Sequence, residues 1–232
     1  MKMINTGSEC IDSNIGGGIS PESIAMIYGE PETGKTTLAI QCAVSCASQN
    51  LKVLFVDCDN TFSAKRLSQL CSSKFDEVAE QIILIKPKNF SEQTVVIDRI
   101  QDYTAKNFGL IVIDTFTSLY GAKVSESSSK AFSVNRELNR QLAILAQSVK
   151  IRKIPVIITS QVRSVFDESN VSVAPVATRV LKFWSDIIIA LKPTGYPQVM
   201  KAVLEGSREN IKEVTCYVQI AESGITDSEF HE

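Results

Sequence analysis

Residues 29–36 read Gly29-Glu30-Pro31-Glu32-Thr33-Gly34-Lys35-Thr36, the spacing G-x-x-x-x-G-K-[ST]. They follow an apolar run, Ile24–Tyr28, and open a segment of helical character, Lys35–Ser48. A strand feeding such a loop and a helix leaving it make its amides converge on an anion at a helix N-terminus. Gly29 and Gly34 allow backbone angles and a close approach that a Cβ would forbid. The expected ligands are ATP and Mg²⁺. Lys35 is placed for the β- and γ-phosphates, the Thr36 hydroxyl for Mg²⁺, and Thr37 completes the nucleotide-binding set. A chance Gly/Lys turn would lack the flanking strand and helix.

The rest of the chain repeats that alternation. Ile24–Tyr28, Val53–Asp57, Ile82–Ile85, Leu110–Asp114, Val156–Thr159 and Ile187–Leu191 are nearly continuous apolar runs, as in strands buried on both faces of a parallel sheet. Helical segments are expected at Lys35–Ser48, Ala64–Ser72, Ser91–Lys106 and Ser133–Lys150; in the last, Leu138, Leu142, Leu145 and Val149 form one stripe. Right-handed crossovers then give a mostly parallel, doubly wound α/β layer structure. Val199–Leu204 and Thr215–Ile220 read instead as an antiparallel hairpin extending the sheet, with Arg208–Lys212 as its turn. A length of 232 residues suits one domain, 1–232.

The Mg²⁺-side carboxylate of a P-loop sheet ends another strand. Leu110-Ile111-Val112-Ile113-Asp114 has that form. Alone, Asp114 fits an ordinary turn cap; beside Lys35 and Thr36 it fits a metal ligand acting through water. Histidine chemistry is nearly excluded, because the one histidine is His231. The six cysteines, Cys10, Cys42, Cys46, Cys58, Cys71 and Cys216, form no C-x-x-C pair, and all are expected to be buried, reduced thiols. No run approaches the roughly 18 to 20 apolar residues of a membrane helix, and the N-terminus lacks the apolar run of a secretory signal, so a cytoplasmic location is expected. A net charge of −2 excludes nucleic-acid binding by bulk charge, so any DNA contact must be local.

Thr6-Gly7 with Asp12 and Gly16-Gly17-Gly18, then Gly29–Thr36, Val53–Leu67, Asp114-Thr115 and Ile158-Thr159-Ser160-Gln161-Val162 follow one another in this order. That order resembles the RecA/RadA recombinase ATPase core over nearly the whole chain. Starting at the core, without a small helical DNA-binding domain ahead of it, the chain is similar to the archaeal RadB group of RadA paralogues. The resemblance implies a RecA-like fold and several roles. Asp59 takes the place of the glutamate that polarises the attacking water. It is one methylene shorter, which sets its carboxylate back by about 1 Å and implies slow hydrolysis. Arg66 matches the arginine that stacks on adenine, although a solvated helix arginine fits the sequence equally. Gln161 matches the sensor of the γ-phosphate.

In that family two loops hold single-stranded DNA. They correspond here to Tyr120–Lys130 and Val162–Ala177, read as loosely patterned loops, with Arg163, Arg179 and Lys182 as candidate phosphate contacts. Glu126, Asp167 and Glu168 dilute their charge, and mobile surface loops are the plainer alternative. Phe183 and Trp184 are read as core residues. The glycine pair expected near Pro175–Val180 is absent, and the family's late basic pair reduces to Arg208. These departures imply DNA binding without strand exchange, with a RadA-type recombinase as a candidate partner and a homo-oligomer compatible. The reading is an ATP-binding accessory protein of recombination and repair. The alternative is a KaiC-like signalling P-loop ATPase, which shares the Thr6-Gly7, Asp12 and Gly16–Gly18 opening.

Overall fold

The computed structural model describes residues 3–104, 107–126, 131–167, 170–175, 177–205 and 213–229. In chain order the elements are α1 (Glu9–Asn14), β1 (Ile24–Gly29), α2 (Lys35–Ala47), β2 (Lys52–Asp57), α3 (Ala64–Cys71), α4 (Phe75–Ala79), β3 (Ile82–Ile85), α5 (Phe90–Asp98), α6 (Ile100–Tyr103), β4 (Phe108–Asp114), α7 (Ser118–Glu126), α8 (Ala131–Arg152), β5 (Val156–Ser160), β6 (Val162–Asp167), β7 (Asn170–Pro175), α9 (Thr178–Trp184), β8 (Ile187–Pro193), β9 (Val199–Glu205), β10 (Val214–Ala221) and β11 (Gly224–Asp227).

Nine strands form one sheet in the order β11-β10-β9-β8-β1-β5-β4-β2-β3. The strands from β8 through β3 in that order run parallel, and β9, β10 and β11 add antiparallel. The continuous apolar runs are explained by the pleat. Ala25, Ile27, Val53, Phe55, Leu110 and Val112 turn toward α2, while Ile24, Met26, Tyr28, Leu54, Ile111 and Ile113 turn toward α8. Helices cover both faces of these central strands, so neither set of alternate residues meets water; the edge strand β3 is the exception, with Ile83 and Leu84 each 38% exposed. The stripe on α8 is buried as expected. It also carries Gln141, fully buried but satisfied: Gln93 Nε2 donates to it at 3.0 Å, and its own Nε2 donates to Thr94 Oγ1 at 2.8 Å.

Four expectations need correction. The helix expected at Ser91–Lys106 is two pieces, broken at Arg99, and Lys106 itself lies outside the described residues. Tyr120–Lys130 is not a loop over its described part, because α7 runs to Glu126; Tyr120 is buried and stacks edge-on against Phe90. Val162–Ala177 is largely a hairpin, β6 paired with β7 from Val162 opposite Pro175 to Asp167 opposite Asn170. Asn170-Val171-Ser172-Val173 alternates as a strand should, but Val162-Arg163-Ser164-Val165-Phe166 does not, so its partner strand was hidden. The last correction concerns the cysteines. Cys10 and Cys216 form a disulfide across a sequence separation of 206, with Cα atoms 5.9 Å apart.

That disulfide has no local sequence signal, because α1 and β10 meet only in the fold. Ser8 caps α1 by accepting from Ile11 N at 3.1 Å, and its hydroxyl donates to Asp227 on β11. The start of the chain is thereby held against its last strands. Cys42, Cys46, Cys58 and Cys71 are buried and free as expected, and burial pushes the Cys46 thiol up to about 12, leaving it inert. The turn expected at Arg208–Lys212 lies outside the described residues.

A crosslink that closes most of the chain constrains the unfolded state strongly. Reduction, or Cys216→Ser, is expected to lower the unfolding free energy by about 2–5 kcal/mol, read as a shift of the urea midpoint. An unchanged midpoint would show that the bond is not formed in solution.

Candidate nucleotide-binding site

The site lies beyond the carboxyl ends of the central strands. Gly29 ends β1 with no room for a side chain: a Cβ would stand 2.2 Å from Leu191 O and 2.7 Å from Thr33 Oγ1. Gly34 has φ +90° and serves as N-cap of α2, so the helix begins from a left-handed residue with no side-chain acceptor of its own. The first amides of α2 are therefore left to an external anion. Thr33 Oγ1 and Lys35 Nζ both donate to Glu30 O, at 2.8 and 2.6 Å, which folds the loop around the ammonium. Lys35 is only 9% exposed. Burial lowers its pKa, and the Asp114, Asp59 and Glu30 carboxylates oppose that shift.

The facing wall is built by the ends of β2, β4 and β5. Asp114 is fully buried. Its Oδ1 accepts from the Thr159 hydroxyl, while Oδ2 is buried without a hydrogen-bond partner of proper geometry. Burial raises the Asp114 pKa, with the Thr159 and Thr36 hydroxyls pulling the other way. An orphaned carboxylate oxygen beside a threonine hydroxyl on α2 is the donor set a hard divalent cation takes. The residues thus fit Mg²⁺, which Asp114 and Thr36 would hold.

Asp59 sits half-buried on the loop after β2. Thr115 Oγ1 donates to its Oδ2 at 2.7 Å, and Gln161 Nε2 lies 3.4 Å from the same oxygen. Asp59 and Gln161, a hundred residues apart in sequence, are thereby brought together beside Asp114. Sequence reasoning passed over the residues that arrange them. Asp57 is 1% exposed and accepts from Thr61 N and Phe62 N at 3.0 and 3.1 Å, with Lys86 Nζ 3.3 Å away. It thereby sets the turn that aims Asp59. Thr117 and Ser160 hydroxyls lie 3.1 Å apart beneath Gln161. The sequence signal for Thr115 and Thr159 is their place in Asp114-Thr115 and in Ile158-Thr159-Ser160-Gln161.

Arg66 is not a solvated helix arginine. Its guanidinium donates to Ala221 O at 2.9 Å and Glu222 O at 2.8 Å, so it grips the β10–β11 turn. Gln41 holds the same region from α2, exchanging bonds with Ile225 N and O at 2.7 and 2.8 Å.

The candidate DNA contacts are less uniform than the sequence implied. Arg179 on α9 is exposed. The Arg163 side chain and all of Arg208 lie outside the described part of the structure. The Lys182 ammonium is engaged by Glu205. Phe183 is 78% exposed and not a core residue, whereas Trp184 is partly buried and donates from Nε1 to Asn139 Oδ1 at 2.8 Å. The short helix α9 turns Val180, Leu181 and Trp184 toward the core, leaving Phe183 on its outer side. Ala177 stands in the left-handed region at φ 57°, so the chain keeps a glycine-like bend at the root of α9 without the glycine.

The family model described as Rad51 matches residues 1–228. A DNA repair and recombination protein RadB of Thermococcus kodakarensis is 34% identical over 230 residues, spanning 98% of this chain and 100% of that protein. The protein of the same name from Methanosphaera stadtmanae is 28% identical over 225 residues, covering 96% of this chain and 95% of its own length. Among solved structures, the crystal structure of the RadB recombinase superposes with a TM-score of 0.81 at 33% identity, over 98% of this chain and 100% of that one.

A buried carboxylate with one unsatisfied oxygen weakens the fold that contains it. Asp114→Asn is expected to raise the unfolding free energy measured without divalent metal by on the order of 1 kcal/mol. The same variant should lose the gain in ATP affinity that Mg²⁺ gives the parent. A variant less stable than the parent in metal-free buffer would show that the Thr159 bond outweighs the burial.

Proposed function

This chain belongs to the Rad51 family, and on that premise we propose that it is a nucleotide-switched accessory protein of DNA recombination and repair. It binds ATP with Mg²⁺, turns it over slowly, and holds single-stranded DNA or a RadA-type recombinase without exchanging strands itself. It would act in the cytoplasm; among the described residues no helix is long and apolar enough to cross a membrane.

The observation that carries this reading is the convergence of two walls on one space. On one side stand the free amides of α2 and the Lys35 ammonium; on the other stand Asp114 Oδ2 and the Asp59–Gln161 pair. Mg²⁺ bound there supplies charge neutralisation for a triphosphate. The chain's own residues do the rest. Lys35 exchanges its bond to Glu30 O for a phosphate oxygen. Thr36 and Asp114 fix the position of the metal, and Arg66 and Gln41 hold the turn on the base side. Asp59 receives the proton of the attacking water.

Two features make that last step poor. The Asp59 carboxylate is a methylene short, and its Oδ2 already accepts from Thr115, so one of its two oxygens is occupied before any water arrives. Gln161 sits between this carboxylate and the first residue of β6, so its choice of partner links the γ-phosphate to the hairpin. The affinity for nucleotide therefore survives where turnover does not, which is the behaviour of a switch.

Asp59→Glu is expected to raise the ATP hydrolysis rate by roughly tenfold or more, the scale on which ångström misplacements act, while Lys35→Ala abolishes nucleotide uptake. An unchanged rate in Asp59→Glu would place the attacking water elsewhere. For DNA, ATP-loaded protein is expected to retain a single-stranded oligonucleotide at low salt and release it as salt rises. Reversing Arg163 or Arg179 should flatten the log–log salt slope by about 0.7 for each phosphate that is no longer neutralised. No retention at low salt would favour a protein partner in place of DNA.

A further inference from the structure

Glu205, the last residue of β9, receives two other segments. Tyr28 Oη donates to its Oε1 and Lys182 Nζ to its Oε2. The same ammonium lies 5.9 Å from the centre of the Tyr28 ring, so each member touches the other two. Side-chain exposure is 39% for Lys182 and 19% for Glu205, which desolvates the pair enough to make its geometry matter. Burial, then the bond to Glu205, raises the Tyr28 pKa well beyond its usual range, so the hydroxyl stays a donor.

Glu205 links two parts of the molecule, the start of the phosphate loop and the helix after the hairpin. Tyr28 is the residue before Gly29, where the phosphate loop begins. Lys182 lies on α9, directly after the β6–β7 hairpin. The phosphate loop has no slack against β8, since a Cβ on Gly29 would already stand 2.2 Å from Leu191 O. A cavity of about 380 Å³, lined by Tyr28, Gly29, Glu30, Val162, Leu191 and Pro193, separates the loop from the first residue of β6. The loop has room to change shape on that side, and on the other it is tied to Glu205. Apart from this tie α9 is held by apolar packing, with Leu181 in the core and Val180 and Trp184 against it, and by the Trp184 Nε1 bond to Asn139 Oδ1 at 2.8 Å.

We propose that Tyr28, Glu205 and Lys182 form a positioning relay that makes the seating of α9 and the β6–β7 hairpin depend on occupancy of the phosphate loop. The relay rests on the nucleotide-binding reading above and deepens it, adding a route to the hairpin separate from Gln161. Its switch is Lys35. When phosphate draws the ammonium off Glu30 O, the loop between Gly29 and Thr33 loses its central tie. The rearrangement reaches Tyr28 through one peptide bond and Lys182 through the shared carboxylate. Coupling of this kind is reciprocal, so whatever fixes the hairpin also tightens nucleotide binding. Lys182 is thereby assigned to the relay and not to a DNA phosphate.

The test follows amide hydrogen exchange at 162–167 and 178–184, with and without ATP and Mg²⁺, beside equilibrium nucleotide binding on the same samples. In the parent, nucleotide is expected to slow exchange in both segments by roughly fivefold or more, the low end of ordinary coupling between sites. In Glu205→Gln and in Tyr28→Phe, nucleotide still binds but the slowing is lost. Lys182→Arg retains the slowing and Lys182→Met loses it, a distinction that a general loss of stability would not make. Tyr28→Phe removes one hydroxyl and serves where a charge substitution disturbs the cooperative melt. Slowing that persists in Glu205→Gln and Lys182→Met overturns the relay, as does a parent that binds ATP without slowing in either segment. A parent that takes up no nucleotide sinks the reading beneath it instead.

Discussion

Asp114 is fully buried with its Oδ2 short of a well-formed hydrogen bond, and burial raises its pKa, so a cation against it is what would favour the ionised carboxylate. Lys35 presents the complementary problem. It is an ammonium taken largely out of water, held by one backbone carbonyl and three carboxylates at a distance. The Asp114 charge acts on that ammonium, but Lys35 donates its hydrogen bond to Glu30 O instead. A ligand that carries its own anion and its own cation would complete both, which is the part that the proposed function gives to a phosphate–metal pair. The neighbouring residues, Thr36, Thr159 and Asp57, are arranged around that deficit.

Most of the fold was legible because the sheet is parallel and covered on both sides. A strand such as Val53–Asp57 must then be apolar on both edges of the pleat, and it announces itself without any knowledge of its neighbours. The hairpin of β6 and β7 belongs to the other class. Its register depends on which residues face each other across the two strands, and a run such as Val162-Arg163-Ser164-Val165 carries no sign of it. The Cys10–Cys216 bond failed for the same reason at greater range. Nothing near Cys10 marks it as a neighbour of β10 until the antiparallel extension has folded past α1.

The site divides along the same line. Gly29–Thr36 is read from a contiguous octet, and Asp114 from its place at the end of an apolar strand. Asp59 and Gln161 could be named only through resemblance, since their partnership exists across the gap between β2 and β5. Lys182 shows the limit most plainly. As a lysine after a polar stretch it looked available to a phosphate, but its ammonium is spent on Glu205, a residue placed beside it by β9. Charge counted along a sequence overstates what a surface can offer, because long side chains find partners that only the tertiary structure supplies. The exposure of Phe183 is the converse case, an aromatic that a seven-residue helix cannot turn inward without giving up Leu181.

The hydrogen bonds around Asp59 also bear on why its short side chain is compatible with function. A glutamate here would reach further toward the attacking water but would no longer meet Thr115 at the same place. Aspartate keeps that bond and with it the coupling to Gln161 and the root of the hairpin. Rate and signal draw on the same carboxylate, and a geometry that holds it in the network cannot also free it to take a proton quickly. On the proposed function, a chain that stays in the nucleotide-bound state would gain from that compromise, because each hydrolysis event would reset the loop that Lys35 and Tyr28 hold in place. Slow chemistry and a well-tied loop would then both follow from one placement, the end of β2 held against β4 by the Cys58 N bond to Asp114 O.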